Sequence, residues 1–277
     1  MRTFSSLQVI REGQVATIKL RRLEELLEVR PQPDIHWDLG AALTDLREDH
    51  GIRVIVICGA IDGEFLVTPQ AKNFPREGAS YRLADPKGAW TMMMGNVRTN
   101  RLMAEIEKPI VAKVNGDAIG FGQSIAFGSD FILARADAKF NDMHLGQGEV
   151  TSSAGTPIGP PFGMVPGDGA GALVPLFMSP VKAKEYLMLS TDMTGEQLAA
   201  MHCINAAVSA ELLDDAVDDL VQRLLSKSAY ALAWTKQIIN RRVVDQLNGS
   251  LELSVAYETI NFLQIERLGF RDPLSLD

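Results

Sequence analysis

KPIVAKVNGDAIGFGQSIAFGSDFILARADAKF, residues 108–140, holds the pattern from which the rest of the chain can be read. After Pro109, the run 110–114 is short, apolar and β-branched, as a buried strand is. Gly116, Gly120 and Gly122 mark a permissive turn, 123–127 has helical spacing, and 131–134 is a second buried strand. The same alternation extends toward the N-terminus. Runs 7–10 and 15–20 flank Glu12-Gly13-Gln14 as a hairpin. Leu39, Ala42, Leu43 and Leu46 recur at helical spacing within 37–47, 54–58 is a strand, and 97–107 is a helix. Helices alternating with short buried strands imply an α/β core with crossover connections.

Beyond Gly171 the pattern becomes helical, at 183–190, 194–202, 213–226, 230–247 and 251–268, interrupted by a short strand at 206–208. Thr194 and Gln197 have capping-box spacing. Asp214, Asp215, Asp218 and Asp219 sit in the N-terminal half of their helix, where the macrodipole favours them, so they read as a solvated face rather than a metal site. The expected division is an α/β core over 1–195 and a helical region over 196–277.

With 277 residues, 46% of them hydrophobic, the chain can bury a large core without disulfides or a structural metal. Its 27 basic and 35 acidic residues give a net charge of -8 with no basic cluster, which argues against nucleic acid as a partner. Cys58 and Cys203 read as buried thiols of a reducing compartment. No stretch has the length of a signal peptide or of a membrane span, so the expected location is the cytoplasm, with no membrane partner. No phosphate-binding glycine motif follows a strand, and His36, His50 and His202 are scattered without metal-ligand spacing. Neither a cofactor nor a metal is expected.

Glycine and proline, unremarkable in number, crowd between Gly116 and Gly171. A glycine turn entering a helix aims backbone N–H groups, reinforced by the helix dipole, at a ligand oxygen. A tight packing turn is the alternative. The Gly/Pro/Ser stretch 145–163 reads as a lid or pocket wall, or else as an inert insertion. Trp90, Met93 and Met94 precede the helix at Val97 and read as core filling more readily than as a pocket lining.

The segment 108–140, the Gly-Glu-Phe at 63–65, the Val-Pro-Gly-Asp-Gly turn at 165–169 and the order of the last helices together resemble the enoyl-CoA hydratase/isomerase (crotonase) superfamily. The resemblance implies a spiral of ββα units and a C-terminal helical region that forms trimers or dimers of trimers. It places one oxyanion donor at the N–H of Phe121, between Gly120 and Gly122. The second donor falls at Pro69, which has no N–H, so the hole is half-built or shifted to Gln70. The two glutamates of the family's hydratases are replaced by Ser124 and His144.

His144, Asp168 and Glu258 are closest in pattern to the β-diketone hydrolase branch typified by 6-oxocamphor hydrolase. That branch uses a histidine, an aspartate in the same turn and a C-terminal-helix glutamate to cleave a carbon-carbon bond without CoA; its other histidine would fall in the 120–122 turn, where this chain has none. Asp168 also reads as a helix N-cap, and Glu258 as an ordinary helix-surface residue. Glu149 is a reserve acid/base group.

The leading expectation is therefore a retro-Claisen hydrolase of an apolar, cyclic 1,3-diketone or β-keto compound, with His144 as general base. The second is a CoA-thioester hydratase, isomerase or hydrolase with a rearranged acid/base set. The third is a catalytically silent scaffold.

Overall fold

The computed structural model describes residues 2–26, 34–68, 86–146, 148–159 and 163–267. Pro69 and Gln70, where the missing oxyanion donor was placed, lie outside them.

The chain opens with the hairpin β1 (Leu7–Glu12) and β2 (Val15–Leu20), then α1 (Ile35–Glu48), β3 (Val54–Gly59), β4 (Gly63–Val67) and α2 (Pro86–Glu105). Next come β5 (Ile110–Val114), β6 (Gly116–Ile119), α3 (Phe121–Gly128), β7 (Phe131–Arg135) and β8 (Lys139–Asn141). The remainder is α4 (Ala170–Phe177), α5 (Pro180–Met188), β9 (Met193–Thr194), α6 (Gly195–Ala200), β10 (Ala206–Val208), α7 (Leu213–Leu225) and α8 (Ala229–Arg267). From β3 to β8 successive strands alternate between two sheets. One runs β1-β2-β3-β5-β7-β10 and the other β4-β6-β8-β9. All neighbours are parallel except the β1-β2 hairpin and the β8-β9 edge. Each strand-strand-helix step thus adds one strand to each sheet, which is the spiral of ββα units expected.

Both faces of the larger sheet are covered. Ile55, Ile57, Ala112 and Ala134 join the main core with α1, α3 and α4, while Val54, Val56, Val111 and Leu133 face α7 through Val217, Val221 and Leu224. Strands covered on both faces read as continuous apolar runs, the reason 110–114 was recognisable.

Three expectations are corrected. The helix assigned to 97–107 begins at Pro86, so Trp90 to Met94 lie inside it. The helices assigned to 230–247 and 251–268 form a single 39-residue helix through Gly249. One exposed glycine costs a helix about 1 kcal/mol, and burial of Leu247, Leu251 and Val255 on either side of it outweighs that. Finally, 116–119 is a strand rather than the start of a turn. The capping box at Thr194 and Gln197 is present, and Cys58 and Cys203 are free and buried. Among the described residues, no helix is long and apolar enough to cross a membrane.

Candidate active site

Four elements deliver the candidate residues to one buried place. The strand β8 ends in Asn141-Asp142-Met143-His144, where Asp142 accepts the His144 backbone N–H at 3.2 Å and the ring Nδ1 at 2.9 Å through the same Oδ1. An aspartate two residues before a histidine closes a local turn and fixes the ring in one movement. With Nδ1 held, Nε2 faces Glu258 Oε1 at 3.4 Å and Asp168 Oδ2 at 4.0 Å. Asp142, His144 and Asp168 are buried, and Glu258 enters from the middle of α8.

Asp168 is not a helix cap. The N-cap of α4 is Gly169 and no side chain caps it. Instead Asp168 Oδ1 accepts the Ser124 hydroxyl at 3.1 Å, while its other oxygen is the one facing His144. Ser124, standing where a hydratase has a glutamate, therefore positions a carboxylate supplied by another loop. The turn itself is fixed from α2: Asn96 donates to Gly167 O at 3.0 Å and Asn100 to Asp168 O at 3.3 Å. Gly167 must be glycine for a local reason, because a Cβ there would lie 2.6 Å from the Cβ of Glu258.

Sequence reasoning missed Asp142 and Gln123 as partners. Gln123 donates to Asp142 Oδ2 at 3.3 Å and accepts from the buried Tyr186 hydroxyl at 3.4 Å, so the residues behind His144 form one polar chain. The Asp-x-His spacing at 142–144 was the available signal. Asp142, His144 and Asp168 offer ligand atoms within 4.8 Å of one another. Asp142 nevertheless spends one oxygen on the histidine and the other on Gln123, the pattern of a hydrogen-bonded acid/base cluster.

The electrostatics follow from burial of several carboxylates around one imidazole. Desolvation by itself would lower the His144 pKa, but the charges of Asp142 and Asp168 and the hydrogen bonds His144 donates to Asp142 and Glu258 outweigh it and raise it well above the ordinary 6.5. Burial lifts Asp168 to about 6; the His144 cation opposes the rise, and the Asp142 and Glu258 charges add to it. The two groups share protons, so the pair titrates as a unit.

In the glycine turn, Gly120 (φ 66°) leads the chain into α3, and Phe121 and Gly122 are its first two residues, all three buried. A helix's first N–H groups have no intrahelical acceptor, which leaves Phe121 N–H as a donor of the expected kind. Glu149 is exposed, and no hydrogen bond or ion pair joins it to His144 among the described residues. The stretch around it is a small hairpin tied to the sheet: Thr151 pairs with Pro157, Ser153 donates twice to Asp117, and Val150 and Ile158 pack on Ile119 and Met143.

The fold agrees with what comparison finds, since the enoyl-CoA hydratase/isomerase family model matches residues 11–267. The chain belongs to the enoyl-CoA hydratase/isomerase family. Within that family it is 26% identical to the 1,2-epoxyphenylacetyl-CoA isomerase of Escherichia coli over 254 residues, 90% of this chain and 87% of that protein. It is 24% identical to the crotonyl-CoA hydratase of Syntrophomonas wolfei over 220 residues, 79% and 76% of the two chains. Among solved structures, an enoyl-CoA hydratase/isomerase from Mycobacterium paratuberculosis superposes with a TM-score of 0.77 at 23% identity, covering 93% of this chain and 94% of that one. A β-diketone hydrolase from the cyanobacterium Anabaena, bound to (S)-3-oxocyclohexyl acetic acid, superposes with a TM-score of 0.76 at 18% identity, covering 95% and 96%. At these identities the superpositions establish the fold alone. This member of the enoyl-CoA hydratase/isomerase family is a crotonase-superfamily enzyme.

Proposed function

We propose that the enzyme hydrolyses a carbon-carbon bond of an apolar 1,3-diketone by a retro-Claisen reaction. The observation that carries this reading is the buried His144 held between Asp142 on one nitrogen and Asp168 and Glu258 on the other, with Ser124 serving Asp168. A water resting against Asp168 Oδ2 and His144 Nε2, at about 2.8 Å from each, bridges their 4.0 Å separation.

The raised pKa of His144 revises its expected role as the base. Asp168, ionised above about pH 6, takes the water proton, and the imidazolium is the acid. The water oxygen attacks one carbonyl carbon; collapse of the tetrahedral adduct breaks the bond to the adjacent carbon and leaves its electron pair as an enolate on the second carbonyl oxygen, held by the Phe121 N–H. His144 protonates the enolate carbon, and a proton passing from Asp168 to His144 restores the pair. The sum is diketone plus water giving a keto acid. The test is His144→Ala on a panel of bicyclic diketones: loss of cleavage is expected, full activity in the variant removes this histidine from the mechanism, and a wild type inert to every diketone removes the substrate class.

A second reading, chemistry on a CoA thioester, is favoured by the names of the curated relatives, an isomerase and a hydratase of CoA esters. It leaves unexplained why the glutamate pair is replaced by Ser124 and His144. Calorimetric titration with acetyl-CoA and a long-chain acyl-CoA separates the two, since the diketone reading expects no binding.

The hairpin at 148–159 is the wall of the pocket in this proposal, and α8 is the trimer contact. Tyr230, Trp234, Ile238 and Ile239 stand exposed along it, more apolar surface than a solvent-facing helix needs. Sedimentation should give a trimer or a hexamer.

A further inference from the structure

Behind the acid/base groups lies a buried amide. Gln123 and Ser124 are neighbours on α3, and both are buried, as is Tyr186 on α5. The Gln123 amide nitrogen donates to Asp142 Oδ2 at 3.3 Å and to the Ser124 hydroxyl oxygen at 3.4 Å, while its oxygen accepts from the Tyr186 hydroxyl at 3.4 Å. An apolar side chain would fill the same space without the cost of desolvating an amide.

The contacts fix the direction of every link. Asp142 accepts from His144 through Oδ1, so its Oδ2 faces the amide nitrogen and Tyr186 faces the amide oxygen. Tyr186 must then donate. Burial and the charges of Asp142 and Asp192 hold its hydroxyl well above the ordinary 10.0, so it keeps that proton. Ser124, accepting from the amide, has its single proton left for Asp168 Oδ1, at 3.1 Å. One amide therefore serves both aspartates that flank His144, touching Asp142 itself and reaching Asp168 through the Ser124 hydroxyl. Unlike a carboxyl group, it neither gains nor loses a proton near neutral pH. The other charged or titratable groups facing this cluster are Glu258 at His144, Asp192 at Tyr186 and His36 at Asp168.

We propose that Gln123, held by Tyr186, is a positioning residue whose amide keeps the proton of the Asp142–His144 pair on the imidazole, where the enolate carbon needs it. Among the described residues the amide makes the only hydrogen bond to Asp142 Oδ2. A hydrogen bond to the charged form of a carboxylate favours that form. Without the amide, Asp142 is the stronger base and draws the Nδ1 proton toward itself, which leaves His144 a poorer acid. The use made of that proton rests on the diketone reading; its place on the imidazole does not.

The test combines NMR of protein labelled with ¹⁵N in its histidine rings, which needs no substrate, with kinetics on 2,2-dimethylcyclohexane-1,3-dione. Gln123→Met keeps the bulk and removes the amide. The His144 Nδ1 proton signal should move downfield and its nitrogen toward the unprotonated position, and kcat should fall about 10-fold with KM little changed, the loss of one hydrogen bond to a charged group. Gln123→Glu keeps the shape and sets a second carboxyl against Asp142. While protonated it can still donate to Oδ2; as the pH rises the two carboxylates repel, so kcat relative to wild type should fall with pH. If circular dichroism shows Gln123→Met to be misfolded, Tyr186→Phe takes its place, with smaller His144 shifts in the same direction. A folded variant whose His144 signals match the wild type, or a Gln123→Glu whose kcat relative to wild type is flat with pH, overturns the assignment of Gln123 and leaves the reaction standing. A wild type that cleaves no diketone overturns the reaction, and the NMR comparison alone then decides for or against the role of Gln123.

Discussion

Asp168→Asn should make the protein more stable at alkaline pH while lowering its activity. Buried Asp168 has a folded-state pKa of about 6 against an ordinary 3.8, so the folded state binds its proton more tightly than the unfolded chain. A carboxyl shifted upward contributes stability that is complete below the unfolded pKa and lost as the pH rises through the folded one. From 3.8 to about 6 the whole contribution is on the order of 3 kcal/mol, of which roughly 1.4 kcal/mol disappears between pH 5 and pH 8. Asparagine has no proton to lose, and its side-chain oxygen can still accept the Ser124 hydroxyl. Removing the Asp168 charge also lessens the upward pull on His144, whose raised pKa makes the wild type lose further stability above pH 6.5, so the second effect has the same sign. Urea unfolding of wild type and variant at a series of pH values, at one protein concentration, gives the difference directly, with other titrating groups cancelling. The variant should gain on the wild type by about 1.4 kcal/mol or more between pH 5 and pH 8. A difference that is flat with pH, or that moves the other way, would falsify the placement of a strained carboxyl at this site.

Three further outcomes follow from neighbouring geometry. Gly167→Ala forces Glu258 off Nε2 or shifts the 165–169 turn, and should cost about 1–3 kcal/mol of stability in urea together with most of the activity; near-wild-type activity would mean that Glu258 is dispensable. Asp142→Asn keeps an oxygen on Nδ1 but removes the nearest charge, so the His144 pKa, followed by NMR of histidine-labelled protein, should fall while exposed His50 and His202 stay put. Lys236→Met breaks the buried pair with Asp130 (2.7 Å) that ties α8 to the core, at a cost of about 3–5 kcal/mol. Adding Asp130→Asn should recover much of that loss; equal stability of the single and double variants would show that the pair carries no such energy.

The parts of this molecule legible in the sequence are those set by local pattern. A strand covered on both faces declares itself as an uninterrupted apolar run, and 54–58 and 110–114 did so. The smaller sheet did not: β6 contains Gly116 and is four residues long, and it becomes a strand because β4 and β8 offer it backbone partners on both sides. That is a tertiary effect overriding a turn-like composition. Among site residues, His144, Asp168 and Glu258 are brought together as their sequence contexts suggested, whereas the choice for Asp168 between cap and site was undecidable without the distance to Ser124. The Asp-x-His spacing at 142–144 fixes the ring of His144, but its meaning depends on Asp168 and Glu258, which arrive from distant parts of the chain.

Under the proposed reaction, the charges also bear on which substrates this site would select. Asp142, Asp168 and Glu258 surround one imidazole, so the pole around His144 carries negative charge even with the imidazolium present. An enolate developing against that cluster would be repelled in a low-dielectric interior. In the proposed reaction the enolate oxygen therefore forms away from it, at the start of α3, where the Phe121 N–H is presented. A substrate for this reaction needs one electrophilic carbon for the water and a second carbonyl oxygen, three bonds away, to receive the electron pair. A 1,3-dicarbonyl skeleton has that spacing, and an isolated ketone does not. A monoketone of equal size, such as 2,2-dimethylcyclohexanone, should remain uncleaved, and its hydrolysis at a rate comparable to the diketone would contradict the requirement for a second carbonyl.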